Sequence, residues 1–321
     1  MRSIKGIKII IIAVALVFIA QAAYGAYHMV AVKTTDEQQT TGQSDNGRNT
    51  EVQPAAQTDK PDEGVNESVA ESIAESMTEG EILEDEADYS ITQNVLDCIK
   101  AYDPEGYTRN VDNYSALLKR LNVHTRFKIE LERHIKEGAG IPDILTAYSF
   151  LNDRFGRLED IERLLGMKAR GQNWEAIFKE YVKDNPEFVP TSFDSEYLDK
   201  LLETPGITQD DIMMADRVSQ RLGISIGDII AKKQSGMSWR LINAGYGIVN
   251  GDEQLPRVPV THEKLEKHCE QTGLSQKRVV EALVMASKLG VSDVTVLEWV
   301  KKGLSNEGIY ARAYEEKYYF G

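Results

Sequence analysis

The sequence predicts an all-α protein with an N-terminal transmembrane helix, a disordered acidic linker and a C-terminal array of repeated helix-turn-helix-like units. Three observations predict this fold class. Apolar residues after residue 90 recur at helical spacing, and no stretch there alternates as a half-buried strand would. Leu-Gly turns return at a fixed interval in the same region. The first 32 residues join a basic start to an apolar run long enough to cross a bilayer.

The N-terminal segment indicates an address outside the cytoplasm. Residues 1–8 carry three basic residues and no acid, which predicts a cytoplasmic start, and residues 9–32 are almost entirely apolar. We interpret residues 9–32 as a retained transmembrane anchor that binds the protein to the membrane. A cleaved signal peptide is the alternative, because small residues occupy the positions that a signal peptidase reads at Ala20–Ala22 and Ala23–Gly25. In that case the protein is secreted.

Residues 33–90 form the acidic linker. Between Asp36 and Asp88 there are sixteen acids against only Arg48 and Lys60, and this excess equals the formal charge of −14 of the whole chain. The remaining residues are therefore neutral in sum. A segment so polar and so charged cannot bury enough apolar area to offset its chain entropy, so we predict a disordered spacer.

The region from 91 to 321 is predicted to be an all-helical repeat domain with glycine markers. Gly156, Gly223 and Gly290 are spaced 67 residues apart. The last two stand in Leu-Gly-x-Ser turns, where the glycine suits the left-handed position after a helix and the serine suits the N-cap of the next helix. Asn122 occupies the glycine place in a first, partial copy.

Each full copy is predicted to contain about four helices in two turn-linked pairs, and stacked copies would bury faces that one copy cannot bury alone. Loops are expected at residues 185–191 and 251–259, where prolines and glycines cluster. Tyr310, Tyr314 and Tyr318 follow helical spacing and are expected to dock against the preceding unit.

Two tryptophans mark the same place in two copies. Trp174 and Trp239 each follow a Gly-x-Asn or Gly-x-Ser turn, and Asn306 takes this place in the last copy. Repetition at one structural position indicates packing between helices. An aromatic platform for a glycan or a peptide is the alternative.

The run Ala286–Gly303 resembles the helix-turn-helix of bacterial DNA-binding regulators, in which the second helix enters the major groove. The resemblance implies that the helix after Gly290 would read DNA. Against this, that helix carries Asp293 and Glu298, whereas phosphate binding needs clustered Lys and Arg. A nucleic-acid partner is therefore not expected.

A second resemblance is to bacterial membrane-anchored helical-repeat proteins with no assigned activity. The residues that carry it are the Leu-Gly-x-Ser turn at Leu222–Ser225 and the run Lys233–Ile242, which ends in Gly-x-Ser-Trp-x-x-Ile. Asn173 and Asn306 depart from the Ser-Trp pair of that pattern. The resemblance implies architecture only.

No catalytic, cofactor or metal site is predicted. The chain has no His-Glu-x-x-His and no phosphate-binding Gly-Lys-Ser/Thr run. Gly223–Gly227 matches Gly-x-Ser-x-Gly, but it lies in a predicted helix–helix turn, whereas a nucleophile elbow needs a strand before the serine. His262, Glu266 and Cys269 share a helix face, but a closed metal site needs about four ligands. Cys98 and Cys269 are the only cysteines, and the sequence leaves open whether they form a bridge.

These features favour a non-catalytic, membrane-tethered extracytoplasmic protein that binds a protein or a cell-wall polymer. A membrane-associated regulator that binds DNA through its helix-turn-helix units is the first alternative. An extracytoplasmic hydrolase is the second, because a helical active site need not contain a short motif.

Overall fold

The computed structural model describes residues 88–320, and this part of the chain is all-helical, as predicted. The apolar run of residues 9–32 and the acidic linker up to residue 87 lie outside the described residues. Between residues 88 and 320, none of the helices is both long and apolar enough to cross a bilayer. The single β-type contact among residues 88–320 is an antiparallel bridge between Arg157 and Ile248.

The helices fall into three modules along the chain, followed by one turn of π-helix. The N-terminal module contains α1 (Gln93–Tyr102), α2 (Tyr107–Arg120), α3 (Thr125–Lys136), α4 (Ile141–Arg154), α5 (Asp160–Ala169) and α6 (Trp174–Asp184). The middle module contains α7 (Ser195–Glu203), α8 (Gln209–Leu222), α9 (Ile226–Gln234) and α10 (Trp239–Gly245). The C-terminal module contains α11 (His262–Thr272), α12 (Gln276–Leu289), α13 (Asp293–Lys301), α14 (Asn306–Glu315) and the π-helix Glu316–Phe320.

The Leu-Gly turns have the predicted geometry in two modules. Gly223 and Gly290 end α8 and α12 with φ of 69° and 67°, in the left-handed region. Ser225 and Ser292 then cap α9 and α13, each accepting a backbone N–H with its hydroxyl. Asn122, expected in the glycine place of the partial copy, is also left-handed, with φ of 47°.

Gly156 differs from the other two marker glycines in its backbone conformation. Phe155 takes the left-handed position after α4, with φ of 51°, and Gly156 follows it. A Cβ atom on Gly156 would lie 2.6 Å from Cδ2 of Leu151 and 2.7 Å from the hydroxyl oxygen of Tyr181. Close approach of neighbouring side chains, rather than a left-handed backbone, therefore requires glycine here.

The apolar cores show that modules adjacent in the chain are not always the ones that pack together. The N-terminal and C-terminal modules share one core, and the middle module has a second core. Ala244 of α10 joins the shared core, and Phe155 at the end of α4 joins the second core. Tyr310, Tyr314 and Tyr318 are buried as expected, but α14 packs against α6 and α4 of the N-terminal module. The expected docking on the preceding unit is therefore wrong.

The two marker tryptophans are fully buried, so packing is confirmed and an exposed aromatic platform is excluded. In the middle module, Nε1 of Trp239 donates to Oδ1 of Asp211 at 2.7 Å. In the N-terminal module, Nε1 of Trp174 donates to the Tyr319 hydroxyl at 2.9 Å, and that hydroxyl donates to Asp143.

The side chains opposite the tryptophan position occupy equivalent places in the helices of the three modules. Asp143 and Asp211 are each the third residue of the long helix in their module, and Arg278 has the same place in α12. Where the C-terminal module replaces Trp with Asn306, Arg278 Nη1 donates to Asn306 Oδ1 at 2.8 Å. In the middle and C-terminal modules the position thus keeps a direct hydrogen bond between equivalent helices, with donor and acceptor exchanged. In the N-terminal module the Tyr319 hydroxyl bridges the two helices instead.

We expect Trp239→Phe to destabilise the fold by about 2–4 kcal/mol, because it leaves a cavity and an unpaired buried carboxylate oxygen on Asp211. Trp299→Phe is the matched control: Trp299 is buried too, but its indole makes no hydrogen bond among the described residues. Urea unfolding followed by far-ultraviolet circular dichroism measures both. Equal losses would contradict a role for the indole hydrogen bond.

Candidate functional site

An open cleft of about 250 Å³ lies where the three modules meet. Its walls come from the C-terminal halves of α8 and α12, the end of α4, and the start of α14. The connecting loops complete it through residues 186–189 and 255–256. All three modules therefore contribute to the cleft.

The end of α4 connects the middle module to the N-terminal module. The last carbonyls of a helix have no partner within it and need donors from elsewhere. Nη2 of Arg217 donates to the Asp153 carbonyl at 3.1 Å, and Nη2 of Arg221 donates to the Arg154 carbonyl at 2.9 Å. Two arginines of α8 thus satisfy the end of α4 and are themselves held at the cleft.

Three cations at one repeat position converge on this cleft. Arg154, Arg221 and Lys288 are spaced 67 residues apart, each two residues before a marker glycine, and all three line the cleft. A basic residue in the last turn of a helix interacts favourably with the helix dipole. The dipole accounts for a cation on each helix, but it does not account for their meeting in one cleft.

Arg154 is the most buried of these cations. Its relative exposure is 8%, and its guanidinium lies 5.6 Å from the ring centre of Phe150 and 5.4 Å from that of Tyr310. Nη1 pairs with Glu187 at 2.9 Å, and Nη2 lies 3.8 Å from Glu307. Its charge is therefore compensated.

Arg217 supplies a fourth cation. Its guanidinium carbon lies 4.0 Å from the ring centre of Phe155, close enough for a cation–π contact. Burial, together with Arg221 and Arg154 nearby, lowers the pKa of Arg217 to about 10. Burial and mutual repulsion therefore disfavour the positive charge of Arg217 in the cleft.

Asp153 is the carboxylate nearest to these charges on α4. It accepts a hydrogen bond from the Tyr314 hydroxyl of α14, which ties the C-terminal module to the same helix end. Burial first, and then the charge of Asp153, raise the pKa of Tyr314 well above the ordinary value, so this tyrosine stays a neutral donor.

Lys288 differs from the other cations because its Nζ makes no hydrogen bond or ion pair within the described part of the chain. It is half-buried. Burial lowers the pKa of Lys288; the carboxylates of Asp153 and Glu187 oppose this shift, and Arg217 and Arg154 add to it. The lysine therefore has carboxylates nearby but no direct ion-pair partner among the described residues.

The cleft combines these cations with apolar walls. Its described lining holds four cations against three carboxylates, and contains no Ser, Cys or His. The arrangement can bind an apolar group that carries negative charge, and its described lining has no Ser–His or Cys–His pair for covalent catalysis. The apolar residues are Pro186, Phe188, Val189, Met213, Leu255, Pro256, Val284 and Met285.

The residues singled out in the sequence lie elsewhere. The marker glycines and the two tryptophans are outside the lining of the cleft. Cys98 and Cys269 are free thiols. His262 and Glu266 form an exposed pair at 3.0 Å, and residues 88–320 contain no group of three or more potential metal ligands. The sequence feature that could have indicated the cleft is the basic residue two positions before each marker glycine.

We expect Lys288→Met to stabilise the protein at neutral pH. The folded state holds the lysine proton less tightly than the unfolded chain, whose ordinary lysine pKa is 10.5. Wild-type stability therefore rises with pH through the window below 10.5, and the advantage of the variant shrinks there. Urea unfolding at neutral pH and at about pH 10.5 measures it.

Lys301→Met is the control for this prediction, because Lys301 is exposed at the end of α13. It is expected to change stability little at either pH. An advantage of Lys288→Met that is equally large at both pH values would indicate better packing instead of relief of a buried charge.

Comparison with known proteins found no match to this chain among protein-family models, curated proteins or solved structures. The geometry of the cleft is therefore the basis for the function proposed below.

Proposed function

We propose that this chain is a membrane-tethered, extracytoplasmic binding protein without catalytic activity. In this proposal residues 9–32 anchor it, the acidic linker acts as a spacer, and a domain of repeated helical units binds a partner protein or cell-wall polymer. The observation that carries the proposal is the cleft, to which three modules contribute cations from one repeat position.

The construction of the cleft supports binding in three ways. Its arginine donors are fixed on the carbonyls at the end of α4, so little side-chain freedom is lost when a ligand enters. Its apolar walls are open to solvent beside Lys288, which has no direct ion pair within the described residues. Its described lining has no Ser–His or Cys–His pair, which favours binding over a hydrolase of that type.

The regulator alternative is supported by the tight turn between α12 and α13, where Gly290 is left-handed and Ser292 caps α13. The surface of α13 supports it less well. This helix buries Trp299 and Val300, and it exposes Val294 and Glu298 near its start and middle. Phosphate contacts would need Lys or Arg at such positions.

The binding proposal is tested by filling the cleft. The probe is N-acetyl-leucyl-(4-fluoro)phenylalanine amide, which is neutral and apolar, observed by ¹⁹F NMR with the full-length protein in detergent micelles. We expect saturable line broadening with wild type and its loss in Val284→Trp, because the larger side chain occupies the cleft. Val294→Trp, on the exposed face of α13, is the matched control and should bind as wild type does.

Binding that is unchanged by Val284→Trp would overturn the assignment of the cleft. Circular dichroism spectra of both variants establish that loss of binding does not arise from loss of fold.

The orientation is tested by a reporter fused after Gly321. An alkaline phosphatase fusion is expected to be active and a green fluorescent protein fusion dark, because the positive charge at the N-terminus favours export of the rest of the chain. The opposite pattern would overturn the extracytoplasmic proposal, and the regulator alternative would take its place.

A further inference from the structure

The charges in the cleft narrow the chemistry of its ligand, if the cleft binds a partner as proposed above. Of the three cations at the repeat position, Arg154 pairs with Glu187, and Arg221 donates to Asn185 at 2.6 Å. Only Lys288 lacks a partner within residues 88–320. An anionic group on the ligand is the missing partner.

The electrostatic surroundings of Lys288 favour such a group. Lys288 is half-buried; Asp153 and Glu187 favour its charge without a direct ion pair, while Arg217 and Arg154 disfavour it. A buried charge is costly unless it is paired. A bound anion would offset this cost by forming an ion pair with Lys288, which has no such pair in the free protein within residues 88–320.

The cleft also limits how much negative charge the ligand can carry. Asp153, Glu187 and Glu281 line it together with the cations. Three carboxylates would repel a phosphate dianion or a string of acids, whereas a single carboxylate meets Lys288 with less repulsion. The ligand therefore carries one negative charge at the cleft.

The size and the walls of the cleft define the rest of the ligand. A volume of about 250 Å³ lies below the range of about 300–1,000 Å³ that is typical for drug-sized ligands. It suits one or two residues at the end of a chain. Met213, Val284 and Met285 line it beside Lys288, so an apolar side chain would lie next to the carboxylate.

We infer that the cleft binds the C-terminal residue of a partner polypeptide, with the free α-carboxylate on Lys288 and an apolar side chain against Val284 and Met285. A C-terminal apolar residue is the simplest group that places one carboxylate directly beside an apolar side chain. Capture of a terminal carboxylate is a recurring mode of peptide recognition.

The test compares two peptides that differ only in this charge. N-acetyl-leucyl-(4-fluoro)phenylalanine is used with a free carboxylate and as the amide, and binding to the full-length protein in micelles is followed by ¹⁹F NMR. We expect wild type to prefer the carboxylate by about tenfold, the factor that one charge-assisted hydrogen bond supplies. In Lys288→Met the two peptides should bind equally.

Two further variants serve as controls. Lys288→Arg should restore most of the preference, because it returns a cation to the same place. Lys301→Met should keep the wild-type preference, because Lys301 is exposed and lies outside the lining of the cleft.

Equal affinity of wild type for the two peptides would overturn the inference while leaving the binding proposal standing. A preference that survives in Lys288→Met would overturn it as well. Displacement of the carboxylate peptide by inorganic phosphate at equal concentration would show a general anion site in place of a C-terminus reader. Failure of both peptides to bind would remove the binding proposal itself.

Discussion

The unpaired carbonyl groups at the end of α4 are the constraint on which the rest of the structure depends. Most of the helix is buried, so donors from other parts of the protein take the place of water at its last carbonyls. Asn250 donates to the Asn152 carbonyl at 3.4 Å, and Arg217 and Arg221 donate to the next two. The middle module is therefore attached by polar groups that α4 requires.

The same helix end receives the C-terminal module from the other side. The Tyr314 hydroxyl donates to the Asp153 side chain, and the ring of Tyr310 covers the Arg154 guanidinium. The backbone of residues 152–154 thus binds one module and their side chains bind another. The cleft lies between these two attachments, so Asp153 and Arg154 at the end of α4 belong to its lining.

The cations that meet at this helix end repel one another, and the fold compensates some of these charges better than others. Arg154 and Arg221 gain acceptors, whereas Lys288 does not within the described residues. A charged side chain that lowers the stability of the fold, and makes no structural contact in exchange, is typical of a functional site. The contrast between Lys288 and its two repeat-related arginines is therefore more informative than the presence of positive charge alone.

The local structure was determined largely by the sequence itself. Apolar spacing, Ser N-caps and left-handed glycines act within one or two helical turns, so the turns at Gly223 and Gly290 and the burial of Trp174 and Trp239 followed from short segments. The tertiary structure alone decided that the tyrosine face of α14 covers the N-terminal module, that Phe155 and not Gly156 is left-handed, and that three cations meet in one cleft. The physical reason is that these outcomes depend on which distant surface buries the most apolar area while satisfying unpaired carbonyls, and residues 67 positions apart carry no local record of that choice.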